Sequence, residues 1–312
     1  MEPRSGMAPH ARPLWRRCAR YGFESTASLA ARVHLRLTLR GAAAFGRVAH
    51  SIVPLDPPVE EVADAYGLDG ADAARVAREL SAQHQQTRLL MTVLGRHGIA
   101  KLAGAFDFDD LAMAALTDRC ARPPIIFLTW HAGPIFSLGC AFSRLGVPLL
   151  AIRRTGGWFP ATPGVDLAAT DGSGEARAAA FARGLARLRD GGLVLMAADA
   201  RGFSTTRAVP FFGRAVAPAR GPFALARMTG APIVPIVARY TPDGKVGFVL
   251  GDPLQDQGSG TEKETALAAA AMAWFESYIR RNPEQLWVGS LRWLRSAPNS
   301  ELRNAELGNS EL

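Results

Sequence analysis

Between residues 123 and 250 the chain alternates short, unbroken apolar runs with stretches whose apolar residues recur every three or four positions. Unbroken runs of this length between turn residues mark buried strands, and the three-to-four spacing marks amphipathic helices. Residues 125–130, 147–152, 165–169, 193–197, 233–238 and 246–250 are therefore read as strands. Residues 175–189, with Ala178, Phe181, Leu185 and Leu188 on one stripe, and residues 221–229 are read as intervening helices. Turn residues punctuate this pattern. Pro134 suits the first position of a helix after residue 130, Gly146 the residue just past its end, and Gly191-Gly192 and Gly230 the ends of the next two. Residues 209–214 read as a loop. The alternation predicts an α/β sheet with helices on both faces.

The first 120 residues have another pattern. From 59 to 118 the spacing is helical: Val59, Val62 and Tyr66; Ala73, Val76, Ala77 and Leu80; then Leu90, Val93 and Leu94, with breaks expected at Gly95 and Gly98. Asp107, Asp109 and Asp110 suit the start of a further short helix through Leu111 and Leu116. His84, beside the apolar stripe, and His97, near a helix end, are read as structural. Residues 25–53 mix arginines and histidines with Leu, Val, Phe and Ala, which favours a basic amphipathic helix. Such a helix either lies in a membrane headgroup region or packs on the domain, and Pro54, Pro57 and Pro58 end it. At the other end, Thr261 and Glu264 have capping-box spacing for a helix to about Arg281, which carries Leu267, Ala270, Trp274 and Tyr278 on one face before Pro283. The organisation expected is a flexible basic segment over 1–24, a helical region with membrane contact over 25–120, a core over 121–296 and a polar, disordered tail over 297–312.

Composition narrows the partners. The 312 residues carry a formal charge of +8, with a pI of about 10.1, which favours phospholipid surfaces, acidic carrier proteins, phosphorylated substrates or nucleic acid. No recognition helix or aromatic-basic motif supports nucleic acid, so it is not expected as a partner. Cys18, Cys120 and Cys140 form neither a metal-type pair nor a disulfide framework. Neither a metal nor a cofactor is expected. No run of about 18 apolar residues predicts a transmembrane helix. The chain lacks a Gly-x-Ser-x-Gly element, so a serine hydrolase is not expected.

The chemistry falls at the carboxyl ends of the predicted strands, where open α/β sheets place their ligands. His131 stands where the first strand hands over to a helix, as a general base or as a hydrogen-bonded structural residue. Arg153 and Arg154 end the second strand, either holding a phosphate or carboxylate in paired hydrogen bonds or exposed at a loop. The strand at 193–197 delivers Asp199, Arg201 and Gly202.

Taken in order, these parts resemble the lipid A biosynthesis (late) acyltransferase family, within the wider lysophospholipid acyltransferase superfamily. The resemblance spans about residues 120–295 and rests on Thr129-Trp130-His131-Ala132-Gly133, Ile152-Arg153, residues 192–199, residues 209–213, Gly221-Pro222, residues 224–235 and Pro283-Glu284-Gln285-Leu286-Trp287. It implies a glycerolipid acyltransferase-like core, with a mixed sheet between helices. It also implies transfer of a fatty acyl group from acyl carrier protein, acyl-CoA or another acyl thioester to a hydroxyl of a membrane glycolipid or phospholipid. The place implied is the cytoplasmic face of the bacterial inner membrane, with the protein peripheral. His131 would be the base, and Arg153 would lie near phosphate or oxyanion. Asp199 would be a polar site residue, and Phe211, Phe212 and Gly213 would shape the acceptor pocket or simply pack. One position departs from the family. Its motif, His-x-x-x-x-Asp/Glu, has a carboxylate where this chain has Phe136. Unless Asp199, Asp166, Asp171 or Glu175 reaches His131, the expectation becomes a degenerate relative that binds lipid or carrier without turnover.

Overall fold

Ile125–Thr129 (β1) is buried at every residue, and alternate side chains go to opposite sides. Ile126 and Leu128 join one apolar cluster, and Ile125 and Phe127 join the other. A strand buried on both faces belongs in the middle of a parallel sheet covered by helices. The computed structural model describes residues 37–50, 57–97, 106–154, 164–170, 173–200, 205–254, 259–287 and 289–291. In it β1 is joined by β2 (Leu149–Arg154), β3 (Val165–Thr170), β4 (Leu193–Ala197), β7 (Ile233–Tyr240) and β8 (Val246–Leu250). The order is β3-β2-β4-β1-β7-β8. β8 runs antiparallel to β7, and the other pairs are parallel. The sheet is mixed, as the resemblance implied.

Helices cover both faces. Gly174–Arg189 (α6), Gly221–Thr229 (α7) and Gly260–Arg281 (α8) supply Leu188, Phe223, Leu225, Leu267 and Phe275 to one cluster, which Val62 of Val59–Tyr66 (α2) and Leu80 of Gly70–His97 (α3) extend. The other cluster takes Leu39 from a helix over 37–50 (α1), Leu89 and Leu90 from α3, Leu116 from Asp110–Cys120 (α4), and Leu138 and Phe142 from Ser137–Arg144 (α5). Burying such side chains, at roughly 1.5–3 kcal/mol each, is the main stabilising contribution.

Several expectations hold residue by residue. Asp109 caps α4 by accepting from the Ala112 N–H, and Gly230 ends α7 in the left-handed conformation. Gly146 does the same after α5. There the N–H of Val147 donates to Phe142 O and that of Gly146 to Ser143 O, the paired bonds of a Schellman end.

Four local readings are corrected. Pro134 opens a tight turn rather than the helix itself: Ser137 and Leu138 donate to Pro134 and Ile135, so α5 begins at Ser137. Gly95 is no break, because α3 continues to His97; its cost of about 1 kcal/mol is small beside the packing of a 28-residue helix. Residues 209–214 are not a loop. Val209–Phe211 (β5) and Arg214–Val216 (β6) form a hairpin around Phe212-Gly213, both at positive φ. Glu264 closes no capping box, because Ser259 is the N-cap and Glu264 turns inward to Arg220 and Arg227. The segment 1–22, Pro54, Gly98, the loop 156–160 and the tail 297–312 lie outside the described residues.

Candidate functional site

Because β4 lies beside β1 with Thr129 opposite Ala197, the chain leaving each strand emerges at the same edge. The Ala198 N–H donates to Thr129 O at 2.9 Å, which continues the pairing one residue further. His131 and Asp199 follow directly. Asp199 Oδ1 lies 2.7 Å from His131 Nδ1, and both its oxygens are 3.3 Å from the backbone N–H of His131. Ser290 Oγ donates to Asp199 Oδ2 at 2.8 Å. Asp199 is only 8% exposed. A buried carboxylate is tolerable only when its lone pairs are met by donors, and these three groups meet them.

The backbone around His131 is clamped by a distant segment. Gly133 N–H donates to Gln285 O at 2.7 Å, and Trp287 N–H donates to His131 O at 3.1 Å, so Ala132 and Leu286 form an antiparallel bridge. Trp287 Nε1 donates to Gly133 O at 2.7 Å. Gly133 sits at φ 53°, and a Cβ there would run into the Ala238 carbonyl oxygen, so only glycine fits. Gln83 Nε2 donates to Gln285 O at 2.9 Å, and Gln285 Oε1 accepts from Tyr240 N–H at 3.3 Å.

Phe136, at the motif's carboxylate position, packs on Trp287 with ring centres 5.4 Å apart, and Trp287 packs on His131 at 5.3 Å. The carboxylate arrives from β4 instead. Among the described acids weighed as its source, Asp199 is the one that reaches the imidazole. Asp166 is held by Arg183 at 2.7 Å, Glu175 is exposed in the first turn of α6, and Asp171 lies outside the described residues.

The other candidates are dispersed. Arg153 is the penultimate residue of β2, in the parity of Leu149 and Ala151, whose cluster also holds Phe127 and Leu195. It stands two strands from β1 in the sheet order, about 10 Å by strand spacing. Its guanidinium is half-buried, and burial lowers its pKa from the ordinary value. Arg154 is the last residue of β2, and its side chain, like all of Arg201, lies outside what is described. Phe211 is buried against Trp130, with ring centres 4.9 Å apart. Phe212 packs edge-on to Tyr66 at 5.4 Å, beneath the Arg280 guanidinium at 4.7 Å. Gly213 is exposed at the tip of the hairpin. The structure thus brings His131 and Asp199 together, places Arg153 along the same edge, and places the two phenylalanines in the packing behind Trp130.

Ser290 was not singled out by sequence reasoning. Its signal is slight: a hydroxyl within the apolar run that follows Pro283-Glu284-Gln285.

A carboxylate at Nδ1 fixes the ring proton there and puts the lone pair of the neutral imidazole on Nε2. Such an imidazole can accept a proton at Nε2 while the carboxylate stabilises the resulting cation. Residues 172–295 match the family model described as bacterial lipid A biosynthesis acyltransferase, and the match supports assigning the chain to that family. The matched stretch contains Asp199, Trp287 and Ser290, whereas His131 precedes it. Among curated proteins none matches the chain.

Proposed function

We propose, with assignment to the lipid A biosynthesis acyltransferases as premise, that this chain moves a fatty acyl group from an acyl thioester to a hydroxyl of a membrane glycolipid or phospholipid. The observation that carries the reading is the 2.7 Å contact of His131 Nδ1 with a buried carboxylate that Ser290 also holds. His131 Nε2 takes the acceptor hydroxyl's proton as that oxygen attacks the thioester carbonyl carbon. The carbonyl π bond opens to an oxyanion and Asp199 stabilises the imidazolium. Collapse of the intermediate breaks the C–S bond, and Nε2 returns the proton to the departing thiolate. No acyl-enzyme forms. General-base catalysis of this kind contributes about 10²–10⁴-fold.

Arg153 is a cation at the same sheet edge, and we assign it to the substrate phosphate or the oxyanion. The chain's charge of +8 suits an acidic acyl carrier protein as donor, with acyl-CoA as the other candidate. Among the described residues no helix is long and apolar enough to cross a membrane. α1 exposes Leu37, Phe45 and Val48 beside Arg40 and Arg47, which fits peripheral binding at the cytoplasmic face of a bacterial inner membrane. The alternative of a binder without turnover rested on Phe136, and Asp199 beside His131 weighs against it.

The test is acyl transfer from a radiolabelled acyl-carrier-protein thioester to extracted lipids, with wild type and His131→Ala side by side. Labelled lipid formed by wild type and lost in the variant is the expected result. No transfer by wild type from carrier-protein or CoA thioesters would refute the enzyme reading and leave the binder.

A further inference from the structure

A cavity of about 700 Å³ lies between α1, α3, the β7–β8 turn and the turn at 283–285, and neither His131 nor Asp199 lines it. α1 and α3 approach closely there: a Cβ on Gly46 would lie 2.7 Å from Ala82 Cα. Arg47 Nε bonds both oxygens of Glu79 at 2.9 Å, and His50 Nδ1 shares a hydrogen bond of 2.8 Å with Ser81. The walls are therefore built, not incidental.

The charges facing the cavity are Arg40, Arg47, Arg75, Glu79 and Glu284. Arg47 is matched by Glu79, and Arg75 by Asp72 at 3.2 Å outside the lining. Arg40 is exposed and has neither a hydrogen bond nor an ion pair among the described residues. An anion beside Arg40 and hydroxyl donors for the Glu284 carboxylate would complete the site. Gln83, 5% exposed, also lines the cavity. Its Oε1 is buried without a partner, while its Nε2 bonds the Gln285 carbonyl that also accepts from Gly133.

We propose that this cavity is a second binding site, for the phosphate ester of a polyol, and that the loop bearing His131 responds to its occupancy through Gln83 and Gln285. Arg40 takes the phosphate and the hydroxyls donate to Glu284. Leu37 and Val48, on the helix that carries Arg40, are 57% and 59% exposed, an arrangement suited to a headgroup carried by a lipid. A free polyol phosphate has the same recognition chemistry. The site does not depend on acyl transfer at His131.

The test uses the full chain in two binding arms. Calorimetry compares glycerol 3-phosphate with glycerol and with inorganic phosphate, and sedimentation compares phosphatidylglycerol vesicles with phosphatidylserine vesicles of equal charge. Glycerol 3-phosphate binding tighter than either fragment identifies a free ligand, and preference for phosphatidylglycerol identifies a lipid-borne one. Arg40→Gln, at an exposed position that does not threaten the fold, weakens whichever binding is seen by tenfold or more, and His131→Ala leaves it unchanged. On binding, hydrogen exchange slows at the Gly133 and Trp287 amides, and Gln83→Met abolishes the slowing. Absence of binding in both arms, equal affinity in Arg40→Gln, or loss in His131→Ala would overturn the site. Binding without any change in those two amides would overturn the coupling.

Discussion

Replacing Asp199 by Asn keeps the side chain's shape and removes its charge, so it isolates what the carboxylate does for His131. With Oδ1 2.7 Å from Nδ1, the charge centres of an imidazolium–carboxylate pair lie about 4 Å apart, worth about 4 kcal/mol at an effective dielectric constant of 20. Since 1.36 kcal/mol is a factor of ten, that is about a thousandfold in rate. Loss of the matching charge in Ser-His-Asp hydrolases costs about 10⁴. The amide also sets an NH₂ against either the His131 N–H or the Ser290 hydroxyl, which now donate to the carboxylate. Asp199→Asn is therefore expected to lower kcat by 10³–10⁴ with little change in KM. The assay is single-turnover transfer from a labelled acyl thioester, with circular dichroism to verify folding. The double variant Asp199→Asn/His131→Ala should be no slower than His131→Ala, because the carboxylate acts only through the imidazole. A folded Asp199→Asn protein within tenfold of wild type, or a double variant whose losses multiply, would refute the coupling of these two residues.

Further outcomes follow from neighbouring contacts. Ser290→Ala removes one donor to a buried carboxylate and should lower stability by about 1.5–3 kcal/mol, read by urea unfolding, with a tenfold or greater loss of kcat. Gly133→Ala forces a Cβ into the Ala238 carbonyl at positive φ; it should abolish transfer and lower the thermal midpoint, and a variant with wild-type activity would show that the loop tolerates other shapes. Glu264 is 3% exposed. Burial alone would raise its pKa, but Arg220 at 2.6 Å and Arg227 at 2.7 Å outweigh burial and hold it below the ordinary glutamate value. A depressed carboxyl stabilises fully above the unfolded value and loses that contribution as pH falls through the folded one. Glu264→Gln should therefore cost about 1–3 kcal/mol at pH 7, since both arginines keep part of their hydration. Denaturation curves of the two proteins should converge as pH falls through the lowered folded value, and a gap that persists in strong acid would sink this account.

The strands at 125, 193 and 246 were legible because unbroken apolar runs between Gly and Pro leave no other reading. Gly146 and Gly230 were legible because a left-handed residue at a helix end needs glycine. The hairpin at 209–216 was not, because strands of three residues carry too little period-two signal to stand out from a loop. The capping-box spacing of Thr261 and Glu264 was a true pattern put to another use, since two arginines outside the helix compete for the carboxylate. At the site, His131 and Asp199 were each legible as residues at strand ends. Their partnership across 68 positions was not, because it depends on β4 lying beside β1 in one register. Ser290 left only a slight signal for the same reason, its partner being 91 residues away.

The bridge between Ala132 and Leu286 has a temporal side. As the chain leaves the ribosome, β1, β4 and β7 emerge before residues 285–290 do. A nascent sheet can then exist whose histidine loop lacks the Gln285 and Trp287 contacts and whose Asp199 lacks Ser290. The site is armed last. Until that segment has joined the fold, the growing protein has its sheet without the contacts that hold the His131 loop and Asp199 in place.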